Sequence, residues 1–186
     1  RDPLASDEQD IRNYSAGVLN DAANLGTLMH DWIAAEHDDL PYPDVSLAPE
    51  YFWQMVAQWD EWKSQHEVEP LMTETTLWSH QYGYAGTADG LWKIDGVPTM
   101  LDVKTSRNVW DEHLMQLSAL GACEVAVVES DGKWVEIDIP AFSQYALLHI
   151  RPEDTTKNGE YMEPFCRLEL VDVEEIPLHF EAFLGL

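Results

Sequence analysis

The sequence predicts a mixed α/β domain, of the α+β kind, with a central mixed β-sheet flanked by helices. Apolar residues recur at helical spacing in the first third, and β-rich segments joined by Asp-Gly turns fill most of the rest. A length of 186 residues, 45% of them hydrophobic, fits one domain with a sizeable core. We therefore predict a single domain over 1–186, with a helical part over 1–66, a core over 67–124, and C-terminal strands and a helix over 125–186.

The N-terminal part contains two predicted helical segments. Residues 8–37 carry apolar side chains at near-helical spacing, interrupted around Gly17 and Gly26, which indicates one or two helices. After the linker DDLPYPDVSLAP, a further helix is expected to begin near Pro49, because proline is favoured in a first helical turn. Its apolar side chains share one broad face, which is typical of a helix packed on a core. These residues are Tyr51, Phe52, Met55, Val56, Trp59 and Trp62.

Strand signals dominate the rest of the chain, and one helix interrupts them. Two hairpins are indicated by Asp-Gly pairs, the dipeptide most typical of two-residue hairpin loops. The helix is expected to have Asn108 as its N-cap, because asparagine is a favoured capping residue. The predicted order is strands over 73–80, 83–94 and 97–104, a helix from Asn108 to about Cys123, strands over 125–130, 133–139, 144–152 and 165–172, and a closing helix around Ile176, Phe180 and Phe183.

The first of these hairpins has a register that brings two acids together. The Asp95-Gly96 loop makes Ile94 pair with Val97, because a two-residue loop fixes the pairing of the residues beside it. Counting back along both strands then places Asp89 opposite Asp102. Directly opposed residues have Cβ atoms about 5 Å apart, where like charges destabilise a sheet. The sequence therefore predicts a repulsion that a further group must relieve.

A lysine joins these two acids in the predicted hairpin. Lys104 lies two residues after Asp102, so strand alternation places both side chains on the same face. Two carboxylates with a lysine beside them suit a divalent cation such as Mg²⁺, which takes oxygen ligands. The alternative is a solvated hairpin with an incidental ion pair, since exposed charges are common.

The composition limits the classes of function. With 35 acidic and 10 basic residues the formal net charge is −25, which repels nucleic acid at long range and argues against a DNA partner. An acidic surface whose long-range field is screened by salt still leaves room for a local site. No apolar run is long enough to span a bilayer and the first residues are charged, so we expect no membrane partner and a cytoplasmic location. The two cysteines, Cys123 and Cys166, are expected to be buried thiols.

Four short motifs resemble, in order, those of the PD-(D/E)XK nucleases, in particular the RecB-like exonuclease group with its phage and CRISPR-associated members. They are GTLMH at 26–30, GTAD at 86–89, LDVKTS at 101–106, and Gln116 within HLMQLSALGACE. The resemblance implies a restriction-endonuclease-like fold and metal-dependent hydrolysis of DNA. It also implies Mg²⁺ or Mn²⁺ as cofactor and DNA as partner, with an exonuclease favoured over an endonuclease. If the protein is phage-encoded, its location would be the host cytoplasm.

Roles follow from the resemblance residue by residue. Asp89 resembles the first metal-binding aspartate, Asp102 resembles the second acid, and Lys104 resembles the catalytic lysine. The Val103 carbonyl would be a further metal ligand. His30 resembles the histidine that joins the metal site, although a histidine on an apolar helical face is otherwise a core residue.

Three positions carry weaker expectations from the same resemblance. Gln116 resembles the catalytic-motif glutamine, but Leu120 stands where the family commonly has tyrosine. Glu74 falls where the family often has an acid near the first strand, and a surface glutamate is the equal alternative. Only two cysteines are present, so the cluster ligands of the iron–sulfur members are absent and we expect no iron–sulfur cluster.

Two other function classes stay open at this point. A catalytically inactive acidic protein, acting as a DNA mimic or scaffold on the same fold, would explain the charge directly. A metal-dependent hydrolase acting on RNA or nucleotides would use the same metal ligands. The chain begins with Arg rather than Met, so we also expect that a missing N-terminal segment or a protein partner supplies basic surface.

Overall fold

A seven-stranded mixed sheet with helices on its faces forms the protein, as the computed structural model shows for residues 25–37, 40–156 and 158–185. The predicted helical residues 8–24 lie outside these ranges. The described elements are α1 (25–37), α2 (Glu50–Gln65), β1 (Val68–Ser79), β2 (Tyr84–Ile94), β3 (Val97–Lys104), α3 (Asp111–Gly121), β4 (Val125–Ser130), β5 (Lys133–Asp138), β6 (Gln144–Arg151), β7 (Asp154–Thr155), β8 (Tyr161–Met162), β9 (Phe165–Val171) and α4 (Ile176–Leu184).

The order of strands in the large sheet is β5-β4-β1-β2-β3-β6-β9, and β7 and β8 form a separate small pair. All neighbours in the large sheet are antiparallel except β3 and β6, which run parallel. This mixed sheet confirms the predicted fold class. None of the helices in the described ranges is long and apolar enough to cross a membrane.

Two apolar clusters pack on the sheet. The first, the α2-side cluster, joins α1 and α2 to the sheet and contains five of the six residues predicted on the apolar face of α2, including the fully buried Phe52 and Trp59. The sixth, Tyr51, is exposed, contrary to the prediction. The second, the α3-side cluster, joins α3 to β1, β2, β3 and β6 through residues such as Leu117 and Leu147. β3 contributes to both clusters, so residues 99–103 are buried on both faces, whereas Val97 at its start is exposed and Lys104 at its end is half-buried.

The hairpin predicted at Asp95-Gly96 is confirmed. Ile94 pairs with Val97, and the register continues to the pair Gly90 and Leu101. Asp95 and Gly96 both have positive φ, at 49° and 84°, as this turn requires. The turn therefore fixes how β2 and β3 align.

Two predicted boundaries were wrong. β1 begins at Val68 rather than at residue 73, because its first residues pair with the C-terminal end of β2. The pairing is irregular next to Pro70, and such an irregularity allows a proline within a strand. α3 begins at Asp111 with Trp110 before it, and Asn108 is not its cap. The backbone N–H of Trp110 donates instead to Nδ1 of His113, at 3.3 Å, which satisfies one of the free amides of this helix end.

Candidate metal centre

The candidate site begins at a local irregularity of β1. Met72 and Leu77 both contact the α3-side cluster, although an odd separation would place them on opposite faces of a regular strand. Glu74 lies between them with a φ of 44°, a left-handed conformation that is uncommon for a residue with a side chain. β1 therefore changes the face it presents at Glu74, and such strain often marks a functional position.

The neighbouring strand is irregular at the same level. On β2, Ala88 packs in the α3-side cluster while Trp92, an even number of residues later, packs in the α2-side cluster. Thr75 pairs with Ala88 and Thr73 pairs with Gly90, but the two residues that lie between these pairs do not pair with each other. Asp89 lies at that unpaired step, so its carboxylate is free to turn toward α1.

Three side chains converge where these irregular positions meet α1. His30, Glu74 and Asp89 each offer one potential ligand atom, and these atoms all lie within 4.8 Å of one another. Nδ1 of His30 lies 3.3 Å from Oδ1 of Asp89 and 3.8 Å from Oε1 of Glu74. The neighbouring Met29 and Ile33 are buried in the α2-side cluster and fix the position of this part of α1.

The two carboxylates change the titration of the histidine. Burial alone would lower the pKa of His30, but hydrogen bonds and charge interactions with Asp89 and Glu74 outweigh it and raise the pKa to about 10. In the metal-free protein the protonated His30 side chain therefore supplies a positive charge that Asp89 and Glu74 stabilise. A divalent cation would supply that charge after His30 loses its proton.

Asp89 also connects the three-residue group to β3. Its Oδ2 accepts a hydrogen bond from the backbone N–H of Val103, at 2.6 Å. The ladder between β2 and β3 ends one step earlier, at Gly90 and Leu101. Asp89 and Asp102 are therefore neighbours beyond the last paired residues rather than a regular opposed pair, because the Asp89 carboxylate replaces a backbone acceptor.

Asp102 is fully buried and contacts the ammonium group of Lys104. Neither carboxylate oxygen of Asp102 makes a well-oriented hydrogen bond. Burial, followed by repulsion from Asp89, raises the pKa of Asp102 to about 7, although Lys104 and His30 act in the opposite direction. A buried carboxylate with unfilled lone pairs is ready to accept a further positive partner.

Lys104 connects Asp102 to α3. Its Nζ lies 3.4 Å from Oε1 of Gln116, which projects from the exposed side of the helix. The lysine side chain is only 15% exposed, so its ammonium is held close to the acids rather than extended into solvent. Strand alternation correctly predicted that Asp102 and Lys104 would share a face.

The structure thus brings the predicted site residues into one region. His30 and Asp89 lie within the three-residue group, and Asp102, Lys104 and Gln116 form a chain of contacts beside it. The Val103 amide binds Asp89, while a metal-binding role for its carbonyl stays a prediction.

Two further positions clarify what the sequence left undecided. Glu74 lies in the three-residue group, and no spacing rule could have distinguished it from other glutamates on β1. Leu120 is buried in the α3-side cluster, so at this position the chain has an apolar packing residue. Both cysteines are free thiols, with Cys123 buried and Cys166 half-buried.

The donor set fits a hard or borderline divalent cation. Two carboxylates suit Mg²⁺ or Mn²⁺, and the imidazole nitrogen of His30 is a ligand that transition metals accept more readily than Mg²⁺ does. The unfilled lone pairs of Asp102 add a nearby negative group. Of the two predicted ions, this combination favours Mn²⁺.

Comparison with models of known protein families and with curated proteins found no match to this chain.

Proposed function

We propose that the chain is a divalent-metal-dependent deoxyribonuclease of the RecB-like PD-(D/E)XK type, acting as an exonuclease. The observation that carries the proposal is the convergence of His30, Glu74 and Asp89 within 4.8 Å, beside the buried contact of Asp102 with Lys104. Distant parts of the chain contribute these side chains, and β1 and β2 both depart from regular geometry to present them.

Phosphodiester hydrolysis needs a nucleophilic water, stabilisation of charge on the phosphoryl oxygens, and help for the leaving oxygen. A bound divalent cation supplies Lewis acidity and lowers the pKa of a water ligand. His30, Glu74 and Asp89 would hold it, and the contact of Asp89 with the Val103 amide keeps that carboxylate oriented.

Lys104 is the group that would act on the reacting phosphate. Its ammonium is positioned between Asp102 and Gln116, so it can donate a hydrogen bond to a water or a phosphoryl oxygen while remaining charged. A preorganised positive group at the developing negative charge lowers the barrier. Gln116 would restrict the lysine to this position.

Three of the ten basic residues lie near this end of the sheet, although the net charge is −25. They are Lys104, Arg107 and Arg151, at or just after the C-terminal ends of β3 and β6. Both arginines share Asp154, and Nη1 of Arg151 donates to the Thr105 carbonyl at 2.7 Å. With a divalent cation bound, this edge would attract phosphate although the whole protein is acidic.

The decisive experiment is a cleavage assay on linear single-stranded, linear duplex and circular DNA and on single-stranded RNA, with Mn²⁺, with Mg²⁺, and with a chelator. We expect cleavage of linear DNA that requires the metal and is stronger with Mn²⁺. Circular DNA of the same sequence should resist, because an exonuclease needs an end. Cleavage of circular DNA would show an endonuclease, and RNA cleaved in preference to DNA would show a ribonuclease.

A matched pair of variants connects any activity to this site. Glu74→Gln should abolish cleavage because it removes one metal ligand at nearly constant shape. Glu69→Gln, near the start of the same strand and outside the site, should retain it. Equal activity in both variants would contradict the proposed function.

A further inference from the structure

A cavity of about 400 Å³ adjoins the candidate metal centre on the α3 side. Its walls come from β2, α3 and α4, and Gln116 belongs both to its lining and to the contact with Lys104. The volume falls within the range of roughly 300–1,000 Å³ that is typical of small-ligand sites. The cavity is therefore connected to the Asp102–Lys104 pair through Gln116.

The lining combines flat apolar surface with a few polar groups. The Phe183 ring is 42% exposed, and Tyr84 supports it in an edge-on contact with 5.0 Å between ring centroids. Gly86 also lines the cavity and packs closely on α3, because a Cβ at this position would lie 2.9 Å from Cδ2 of Leu120. Glu112 and Gln116 of α3 add polar groups to the lining. An aromatic face with polar groups around it suits a planar ring that also forms hydrogen bonds.

The helix that carries Phe183 lacks a buried residue of its own. Seven of the nine residues of α4 are apolar, the exceptions being His179 and Glu181. None of the nine is buried, and Leu178 is 65% exposed. A helix so apolar normally covers a core or a ligand. The contact of α4 with α3 places part of its apolar surface over the cavity.

We propose that this cavity binds an unpaired nucleobase of the strand whose phosphate lies at the metal centre. The proposal rests on the proposed function and names its substrate class as single-stranded DNA or a frayed DNA end. A base within a duplex is stacked and paired, so only an unpaired base can turn out of its strand into the cavity. Phe183 offers the stacking surface, and Gln116 and Glu112 offer hydrogen-bonding groups at the ring edge.

The test removes the ring that would stack on the base. Phe183→Ala takes this ring from the cavity wall, and Phe183 is not part of the buried core. Leu178→Ala is the matched control, because Leu178 lies on the same helix, is 65% exposed and lies outside the cavity lining. Circular dichroism and thermal melting of each variant verify the fold.

Binding is measured by fluorescence anisotropy with Ca²⁺ and a labelled 12-nucleotide single strand, a blunt duplex, and single strands with one abasic residue at successive positions. We expect the wild type to prefer the single strand, and one abasic position to weaken binding roughly tenfold. Phe183→Ala should bind the intact strand as weakly as the wild type binds that abasic strand, and should be insensitive to the abasic position. Leu178→Ala should resemble the wild type.

The outcomes separate this inference from the proposed function. If the wild type cleaves DNA with Mn²⁺ but the abasic scan is flat, or Phe183→Ala binds as the wild type does, the base site is wrong and the nuclease proposal stands. If the wild type cleaves no nucleic acid, the nuclease proposal fails. The anisotropy scan would then decide the base site by itself, with a flat scan overturning it and a position-dependent loss supporting it.

Discussion

The two ends of the β2–β3 hairpin obey different rules. At the turn, Asp95 and Gly96 adopt the positive φ that their loop requires, and Ile94 pairs with Val97 in the expected register. At the open end the ladder stops, Asp89 binds a backbone amide, and Asp102 is buried with unfilled lone pairs. One end is arranged for stability, whereas the other maintains features that cost stability and therefore need another reason.

The charged groups at the two ends show the same contrast. Asp95 is exposed, accepts a hydrogen bond from the Glu67 amide at 2.9 Å, and contacts Nδ1 of His66, so its pKa is lowered. The pKa of Asp102 is raised, first by burial and then by Asp89. The same residue type is thus stabilising in its charged form at the turn and costly in its charged form at the open end. The predictions below use matched substitutions at the two ends.

The largest expected effect is on cleavage. Lys104→Ala should lower the rate of metal-dependent DNA cleavage by at least roughly a hundredfold, because it removes the positive group beside the proposed phosphate site. Lys93→Ala removes a lysine that pairs with Glu69 near the turn, at 3.1 Å, and should cleave as the wild type does. Rates are measured under single-turnover conditions with Mn²⁺, and thermal melting checks that both variants fold. Unchanged cleavage in Lys104→Ala would remove this lysine from the mechanism.

The next effect concerns stabilisation by metal. A cation that binds only the folded protein stabilises it by about 2.7 kcal/mol at a hundredfold excess over Kd, which corresponds to a Tm increase of roughly 5–10 °C for a chain of this size. Mn²⁺ should therefore raise the Tm of the wild type and of Glu69→Gln by similar amounts. Glu74→Gln and Asp89→Asn should lose most of this increase, because each removes a ligand. An equal increase in all variants would mean that the cation binds the acidic surface elsewhere.

Replacing aspartate by asparagine is expected to change the Tm by a smaller amount, and in opposite directions at the two ends of the hairpin. The pKa of Asp102 is raised above 3.8 to about 7, so ionising it in the folded protein costs stability increasingly from pH 3.8 upward and fully above pH 7. Without metal, Asp102→Asn should raise the Tm, more at pH 8 than at pH 5. Asp95 has a lowered pKa, so its charge stabilises the fold above pH 3.8, and Asp95→Asn should lower the Tm slightly at pH 8.

Melting curves of these two variants at both pH values, with a chelator present, check this prediction. A Tm decrease in both variants would show that Asp102 stabilises the metal-free protein. The hairpin would then have the same energetics at its two ends.

The smallest effect isolates the backbone strain at Glu74. Glycine adopts a φ of 44° without the penalty that other residues meet, roughly 1–2 kcal/mol in left-handed conformations. At an ordinary strand position such as Glu69, glycine should destabilise by about 0.5–1 kcal/mol. Without metal, Glu74→Gly should therefore be at least about 1 kcal/mol more stable than Glu69→Gly in urea unfolding. If Glu69→Gly is the more stable variant, the conformation at Glu74 is not strained.

The features of the hairpin that the sequence could predict are those set by its turn. The Asp95-Gly96 turn is a local signal, and from it came the register, the shared face of Asp102 and Lys104, and the nearness of Asp89. Most strands were also predictable, because β-rich segments separated by turn residues need no tertiary information. These signals act between residues close in the chain.

The remaining features depend on contacts between distant segments. Glu74 joins the group only because β1 and β2 become irregular together where α1 packs against them, and no pattern within β1 signals this. The early start of β1 depends on a bulge that tolerates Pro70. The N-terminal end of α3 is set by a contact of Trp110 with His113 rather than by a polar cap. For Glu74 and for the start of β1, tertiary packing overrode the local preference. Trp110 and His113 are only three residues apart, so at α3 one local capping contact replaced another.

The parallel pairing of β3 with β6 has a consequence for how the protein reaches its native state. Asp102 is next to Leu147 in that pairing, and α3, β4 and β5 all lie between the two strands in the chain. Closing so long a loop carries an entropic cost before its contacts form, so such pairings arise late in folding. During synthesis, β1, β2 and β3 leave the ribosome well before β6. The burial that gives Asp102 its unusual chemistry therefore arises only after most of the chain has been made.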